Sequence, residues 1–169
     1  MAELTDEAAT YRAQFGQPVH DEDALFERLT LQVFQAGLNW RMVINKLPIF
    51  RQAFKDFVVQ QVAAFEEEDV ERLLTMPGLI HNERKIRAVI NNAQVIMKLR
   101  QGGQSFDQYL AQFKETDSAT DRPEQTVAAT AAAKQLHQQG FEFLGPETTL
   151  SFLRSIGLFN HSDHPFTQK

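Results

Sequence analysis

Apolar residues recur along this chain at intervals of three and four, and alternation of β-branched residues is rare. That period puts apolar side chains on one stripe of a helix and predicts an all-α fold. Thr5 predicts a capped first helix to about Phe15, ended by Gly16 and Pro18. Asp21 caps a second, with Leu25, Phe26, Leu29 and Val33 turned inward, ending near Ala36 and Gly37. Asn39 caps a third that begins at Trp40, and Pro48 breaks or restarts it. Residues 58–65 and 67–76 read as short helices. Asn82 opens the longest helix, with Ile86, Val89, Ile90, Ala93, Ile96 and Met97 on one stripe, and Gly102 and Gly103 close it. Ser105 caps a short helix over FDQYLAQF. Residues 116–123, TDSATDRP, read as a loop, and an Ala-rich helix over 124–139 ends at Gly140. Gly145 and Pro146 start a last helix to Ile156, with Gly157 as its C-cap. No internal repeat is present, residues 1–169 read as a single domain, and HSDHPFTQK, from about residue 160, reads as a flexible tail.

Composition narrows this picture a little. A chain of 169 residues, 43% hydrophobic, can fill one core, and its 14 Phe load that core with aromatic area. The net charge of −5 argues against a coat for nucleic acid, though not against a local basic face. The lack of cysteine excludes disulfides, thiol catalysis and Cys-ligated zinc, and fits a reducing cytoplasmic location. MAELTDEAAT has neither the basic nor the apolar region of a signal peptide, and no apolar run approaches the roughly 18 residues of a membrane span. A monomer without a membrane segment is expected.

Two stretches carry candidate chemistry. MPGLIHNERKI, residues 76–86, joins two helices through a tight turn at Pro77 and Gly78. Acids precede it (Glu66, Glu67, Glu68, Asp69, Glu71) and bases follow it (Arg84, Lys85, Arg87, Lys98, Arg100). A helix that opens there with free backbone N–H groups and basic side chains can hold a DNA phosphate. The same spacing also suits an αα-corner with a solvated charged face. The acids suit a helix start, where the dipole favours them. In LQVFQAGLNW, a break at Gly37 lets another molecule approach the backbone closely, and Leu38 can wedge a base stack. Trp40, Phe34, Phe15 and Tyr11 can supply stacking surfaces for a planar base, though any one of them is more commonly core. His161-x-x-His164 with Asp163 has metal-ligand spacing but no Cys partner, and His20, His81 and His137 stand alone. No metal and no cofactor are expected. There is no Gly-rich phosphate loop, no Ser/His/Asp order and no HExxH.

YRAQFG, LFERLTLQVFQAGLNW, FEEEDVERLLTMPGLIHNERKIRAVINNA and GFEFLGPETTLSFLRSIGLFN together resemble the 3-methyladenine DNA glycosylase I family, within the helix-hairpin-helix glycosylase superfamily. The resemblance covers roughly residues 11–158 and implies a helix-hairpin-helix glycosylase-like helical bundle, with the hairpin at about 68–98. It implies an enzyme that flips an alkylated adenine, 3-methyladenine, out of duplex DNA and hydrolyses its N-glycosidic bond in base excision repair. Gly78, Ile80, Asn82 and Lys85 would then grip the DNA backbone, and Gly37 and Leu38 would wedge the stack. Gln32, Trp40 and Tyr11 would meet the base, with Phe15 and Phe34 lining its pocket. An N3-alkylated base is cationic and already a good leaving group. Extrusion, orientation and an admitted water therefore suffice without a catalytic Asp.

Two departures from the family pattern stand out. Where the family carries a Glu before its QAGLxW, this chain has Gln32. An amide offers an acceptor and a donor that suit the edge of adenine, but it loses the carboxylate's attraction for a cation. One charge-assisted contact is worth about 1.5–3 kcal/mol, roughly 10- to 150-fold. The family's zinc clamp of two Cys and two His is also missing. Arg12 follows Tyr11 where the family has a ligand His, and RAQFG replaces its His-Asp-x-Glu-Trp-Gly. Anchoring of the termini by packing alone is expected. Three readings stand open: an active glycosylase, a catalytically weak or inactive relative that binds damaged DNA, and a helical interaction protein that has kept only the fold.

Overall fold

Helices begin where short polar side chains can take the amides that a first turn leaves unpaired. In the computed structural model, which describes residues 3–114 and 122–159, Thr5 accepts from the Ala8 amide and opens α1 (Asp6–Gln14). Asp21 accepts from Ala24 at the start of α2 (Glu22–Gln35), and Asn39 from Met42 at the start of α3 (Trp40–Ile44). Pro48 lies in the first turn of α4 (Leu47–Ala53), where its missing N–H costs nothing. The chain continues through α5 (Val59–Ala63), α6 (Glu67–Thr75), α7 (Glu83–Gln101), α8 (Phe106–Ala111), α9 (Arg122–Gln139) and α10 (Pro146–Ser155). Among the described residues there is no strand, and no helix is long and apolar enough to cross a membrane. Most of the expected loop at 116–123, and the tail with His161 and His164, lie outside the described residues.

One element has no counterpart in the sequence pattern. Lys55, Asp56 and Phe57, between α4 and α5, have φ of 53°, 55° and 59°. Left-handed backbone costs a non-glycine residue roughly 1–2 kcal/mol. Burial offsets part of that cost: Phe57 is fully buried, 5.9 Å from the Phe26 ring and 5.8 Å from that of Phe54. Asp23 Oδ1 accepts from the Val59 amide just beyond and holds the chain as it re-enters a right-handed helix.

α2 runs through the core, where Leu25, Phe26, Leu29, Leu31, Val33 and Phe34 are fully buried. The segment after α1 is fastened to the end of α10. Gly16 N donates to Ser155 O at 3.0 Å and Val19 N to Ile156 O at 3.3 Å. Gly157 completes the join: its φ is +79°, and a Cβ there would come within 2.9 Å of Gly16 O and Pro18 N. Backbone hydrogen bonds thus act with packing to hold the wall that carries Tyr11 and Phe15.

Candidate functional site

α1, α2 and α3 converge on an aromatic group. The Trp40 ring lies 6.0 Å from Tyr11, tilted by 55°, and 6.4 Å from Phe15, close to edge-on at 78°. Tyr11 and Phe15 are buried, and Trp40 is half-buried at the start of α3. The Tyr11 hydroxyl has no hydrogen-bond partner among the described residues. Burial pushes its phenol well above the usual tyrosine range, so it stays protonated and can donate. Gln32, near the end of α2, is 2% exposed. An unpaired buried polar group costs about 1–3 kcal/mol. The Tyr11 hydroxyl left so beside aromatic faces marks a place for a planar ligand with a polar edge.

Arg28, which sequence reasoning passed over, stands one turn before Gln32. It is buried, its guanidinium lies 4.4 Å from the centre of the Tyr11 ring, and its Nη1 donates to Ser155 O at 2.7 Å. The available signal was a charged residue among the apolar positions Leu25, Phe26 and Leu29. Beside it, Arg51 on α4 binds Glu27 of α2 at 2.9 and 3.1 Å and Glu7 of α1 at 3.1 Å, which ties those helices together. Phe34 does not join this group. Two positions on from Gln32 is about 200° around the helix, and Phe34 packs in the core, 4.9 Å from Phe50 and 6.3 Å from Phe54.

α2 ends at Ala36, and Gly37 turns the chain with φ +79°. A Cβ at Gly37 would meet nothing within 4 Å. Glycine supplies backbone freedom here, and among the described residues nothing crowds the position its Cβ would take. Leu38 (36% exposed) and Met42 (41%) stand in solvent on either side of Trp40 in the sequence.

The hairpin between α6 and α7 is braced from behind. Gly78 has φ +85° and sits where a Cβ would come 2.7 Å from Ile49 Cδ1. Lys46 Nζ donates to Gly78 O at 2.7 Å, and His81 Nε2 lies 2.6 Å from Met76 O. Asn82 Oδ1 accepts from the Lys85 amide and caps α7. Ile80 is half-buried beside them. Lys85 itself corrects the sequence expectation. Its side chain turns inward, is 6% exposed, and its Nζ donates to Phe34 O at 3.0 Å and Ala36 O at 2.7 Å. The last carbonyls of a helix lack partners and attract cations, so Lys85 caps the end of α2 and is not turned toward a DNA backbone. Desolvation holds its ammonium below the usual lysine range. Other bases of α7 are engaged as well: Arg87 binds Glu67 at 3.1 and 2.5 Å, and Arg100 binds Glu22. Arg84 stays exposed on the first turn of α7, its guanidinium 5.5 Å from the Phe143 ring.

A family model for methyladenine glycosylase matches residues 3–167. The chain is 36% identical over 158 residues to DNA-3-methyladenine glycosylase 1 of Escherichia coli K12, covering 89% of this chain and 83% of that protein. A solved structure concerning 3-methyladenine recognition by 3-methyladenine DNA glycosylase I of Staphylococcus aureus superposes with a TM-score of 0.80 at 34% identity, over 98% of this chain and 94% of that one. A glutamate-to-glutamine variant of 3-methyladenine DNA glycosylase I from the same organism superposes with a TM-score of 0.78 at 32% identity, over 93% and 89% of the two chains.

Proposed function

The chain belongs to the methyladenine glycosylase family, and we propose on that footing that it excises 3-methyladenine from DNA by hydrolysing the N-glycosidic bond. It is a DNA repair enzyme of the base excision type. Leu38, with Met42 near it, enters the base stack, and Gly37 gives that loop its turn. Trp40 receives the flipped base, Tyr11 and Phe15 close its sides, and the Gln32 amide reads its edge. The observation that carries this reading is the buried, unpaired hydroxyl of Tyr11 beside the Trp40 ring. The first-turn amides of α7, with Gly78, Ile80 and Asn82, hold the DNA backbone. Arg84 and Lys46 take the phosphate-facing role that an inward Lys85 leaves open.

The chemistry asks little of the protein's acids and bases. The carbon–nitrogen bond breaks with its electron pair on an already cationic purine, and water adds to the sugar. The family's zinc clamp does not fit this chain, which has no Cys and carries Arg12 beside Tyr11. Among the described residues no group of His, Asp and Glu is placed to hold a metal ion. We take the chain to act as a single-domain monomer in the cytoplasm.

The test is release of 3-methyladenine from methylated duplex DNA by the native protein and by Gln32→Glu. The native protein is expected to release the base. Gln32→Glu is expected to hold the cationic lesion about tenfold more tightly, through one charge-assisted contact. Duplex binding without release by the native protein would replace this reading with that of a recognition module. The phosphate assignment is checked separately. Arg84→Ala combined with Lys46→Ala should weaken binding to damaged and undamaged duplex alike. It should also flatten the plot of log affinity against log salt by about 0.9 for each phosphate that is no longer neutralised.

A further inference from the structure

We propose that the groove between the end of α9 and the start of α10 is a second nucleic-acid contact, which seats an unpaired nucleotide of a strand running past the hairpin. The cavity has a volume of about 450 Å³, a size that takes a small planar group. α9 contributes Lys134 and His137, three residues apart on one helix face and both exposed. The turn into α10 contributes Phe141, Phe143, Leu144 and Pro146. Among the described residues no acid lines the groove; Glu142 and Glu147, neighbours in sequence, are exposed and are not part of its lining. In a chain of net charge −5, a lining whose ionisable side chains are all basic selects an anion. The apolar remainder selects an anion with a flat, apolar body. A single-stranded nucleotide has both, a phosphate and a base whose faces are free to stack.

The position of the groove favours a nucleic acid over an acidic peptide. It is fastened to the helix that opens at the hairpin. Asn91 Nδ2 donates to Gly140 O at 2.7 Å. Asn92 Nδ2 donates to Glu142 O at 3.2 Å, and its Oδ1 accepts from the Glu142 amide at 2.8 Å. These bonds hold the turn along α7, and within it Phe143 keeps a left-handed φ of 61° while only half-buried. Such backbone persists in a non-glycine residue only where its surroundings fix it, and it clusters at ligand clamps. Arg84, on the first turn of α7, has its guanidinium 5.5 Å from the centre of the Phe143 ring. The inference goes beyond the glycosylase reading but shares its hairpin grip: a strand held by a phosphate at Arg84 reaches the groove at Phe143. Paired bases have both faces covered, so the groove fills only where the strand is unpaired. The protein therefore favours duplex that ends in a single-stranded tail.

The test is fluorescence anisotropy of the full chain with a blunt undamaged duplex, and with the same duplex carrying a thymidine tail at one end or the other. One of the two tails is expected to raise the affinity of the native protein by about fivefold or more, the effect of a single stacked base. It should also steepen the fall of log affinity with log salt by about 0.7 for each tail phosphate neutralised. Gly145 lines the groove as well, with φ −69°, and a Cβ there would meet nothing within 4 Å. Gly145→Asp thus adds a carboxylate without strain at the N-cap of α10, where no side chain caps the helix and aspartate is favoured. This variant is expected to melt no lower than the native protein and to hold blunt duplex within about twofold, its new charge being screened from the hairpin, yet to lose the gain from the tail. Lys134→Gln combined with His137→Gln should also lose that gain, together with the added salt slope. A tail that adds nothing, while blunt duplex still binds, overturns this inference and leaves the hairpin grip standing. Failure of the native protein to bind blunt duplex overturns the grip as well. A gain that survives in both variants moves the tail to another surface. A tail that adds nothing, with a labelled glutamate-rich peptide held by the native protein and not by Gly145→Asp, gives the groove to a protein partner instead.

Discussion

Trp40→Ala is expected to cut excision of 3-methyladenine by about 10- to 100-fold while affinity for undamaged duplex changes by less than about twofold. Stacking on an aromatic side chain is worth roughly 1–3 kcal/mol per base. Trp40 presents its ring from the first position of α3, behind the Asn39 cap, with Tyr11 and Phe15 as walls. Removing the ring leaves those walls facing a gap, so a flipped base loses both its platform and its orientation. The duplex grip is proposed to reside elsewhere, on the hairpin and on Arg84 and Lys46, and should persist. Single-turnover base release and duplex anisotropy, measured on the same preparation, separate the two quantities. A parallel loss of both, accompanied by a lower melting temperature, would make Trp40 a core residue whose removal loosens the whole domain.

The helix starts were legible because capping is local. Thr5, Asp21, Asn39, Asn82 and Ser105 each accept from an amide three residues on, and three residues are visible in any sequence. The left-handed turn at Lys55, Asp56 and Phe57 was hidden, because what holds it is burial against Phe26 and Phe54 and a bond from Asp23. The site divides in the same way. Tyr11, Phe15 and Trp40 lie in one aromatic group, and Gln32 is buried near the end of α2. Phe34 was drawn in by adjacency, although its helical phase turns it into the core. Arg28 was overlooked because a lone charge in an apolar helix usually reaches solvent. Lys85 shows why charge alone does not locate a binding partner. Its long stem can carry the ammonium to a phosphate or, as here, to the end of another helix.

That placement changes what a substitution at Lys85 should do. Lys85→Met is expected to cost about 2–4 kcal/mol of stability, because Phe34 O and Ala36 O lose a charged donor at the buried end of α2. For a chain of this size, 1 kcal/mol moves the melting temperature by about 2–4 °C, so the transition should fall by roughly 5–15 °C. The pH dependence has a definite sign. Burial holds the folded ammonium below the usual lysine range, so between its folded and unfolded pKa values the unfolded chain binds more protons. Stability contributed by this group therefore rises with pH across that interval. The neutral amine still has two N–H donors for the two carbonyls, whereas the Met variant should lack the rise altogether. Because Ala36 leads directly into Gly37 and Leu38, the variant should also capture lesions less well while its salt dependence on undamaged duplex stays native. Native stability with a shallower salt slope would be the signature of a phosphate contact, and would return Lys85 to the DNA face. The geometry argues otherwise: one side chain from the hairpin helix holds the end of the helix that carries Gln32, so the proposed backbone grip and the proposed base pocket share a single buried fastening.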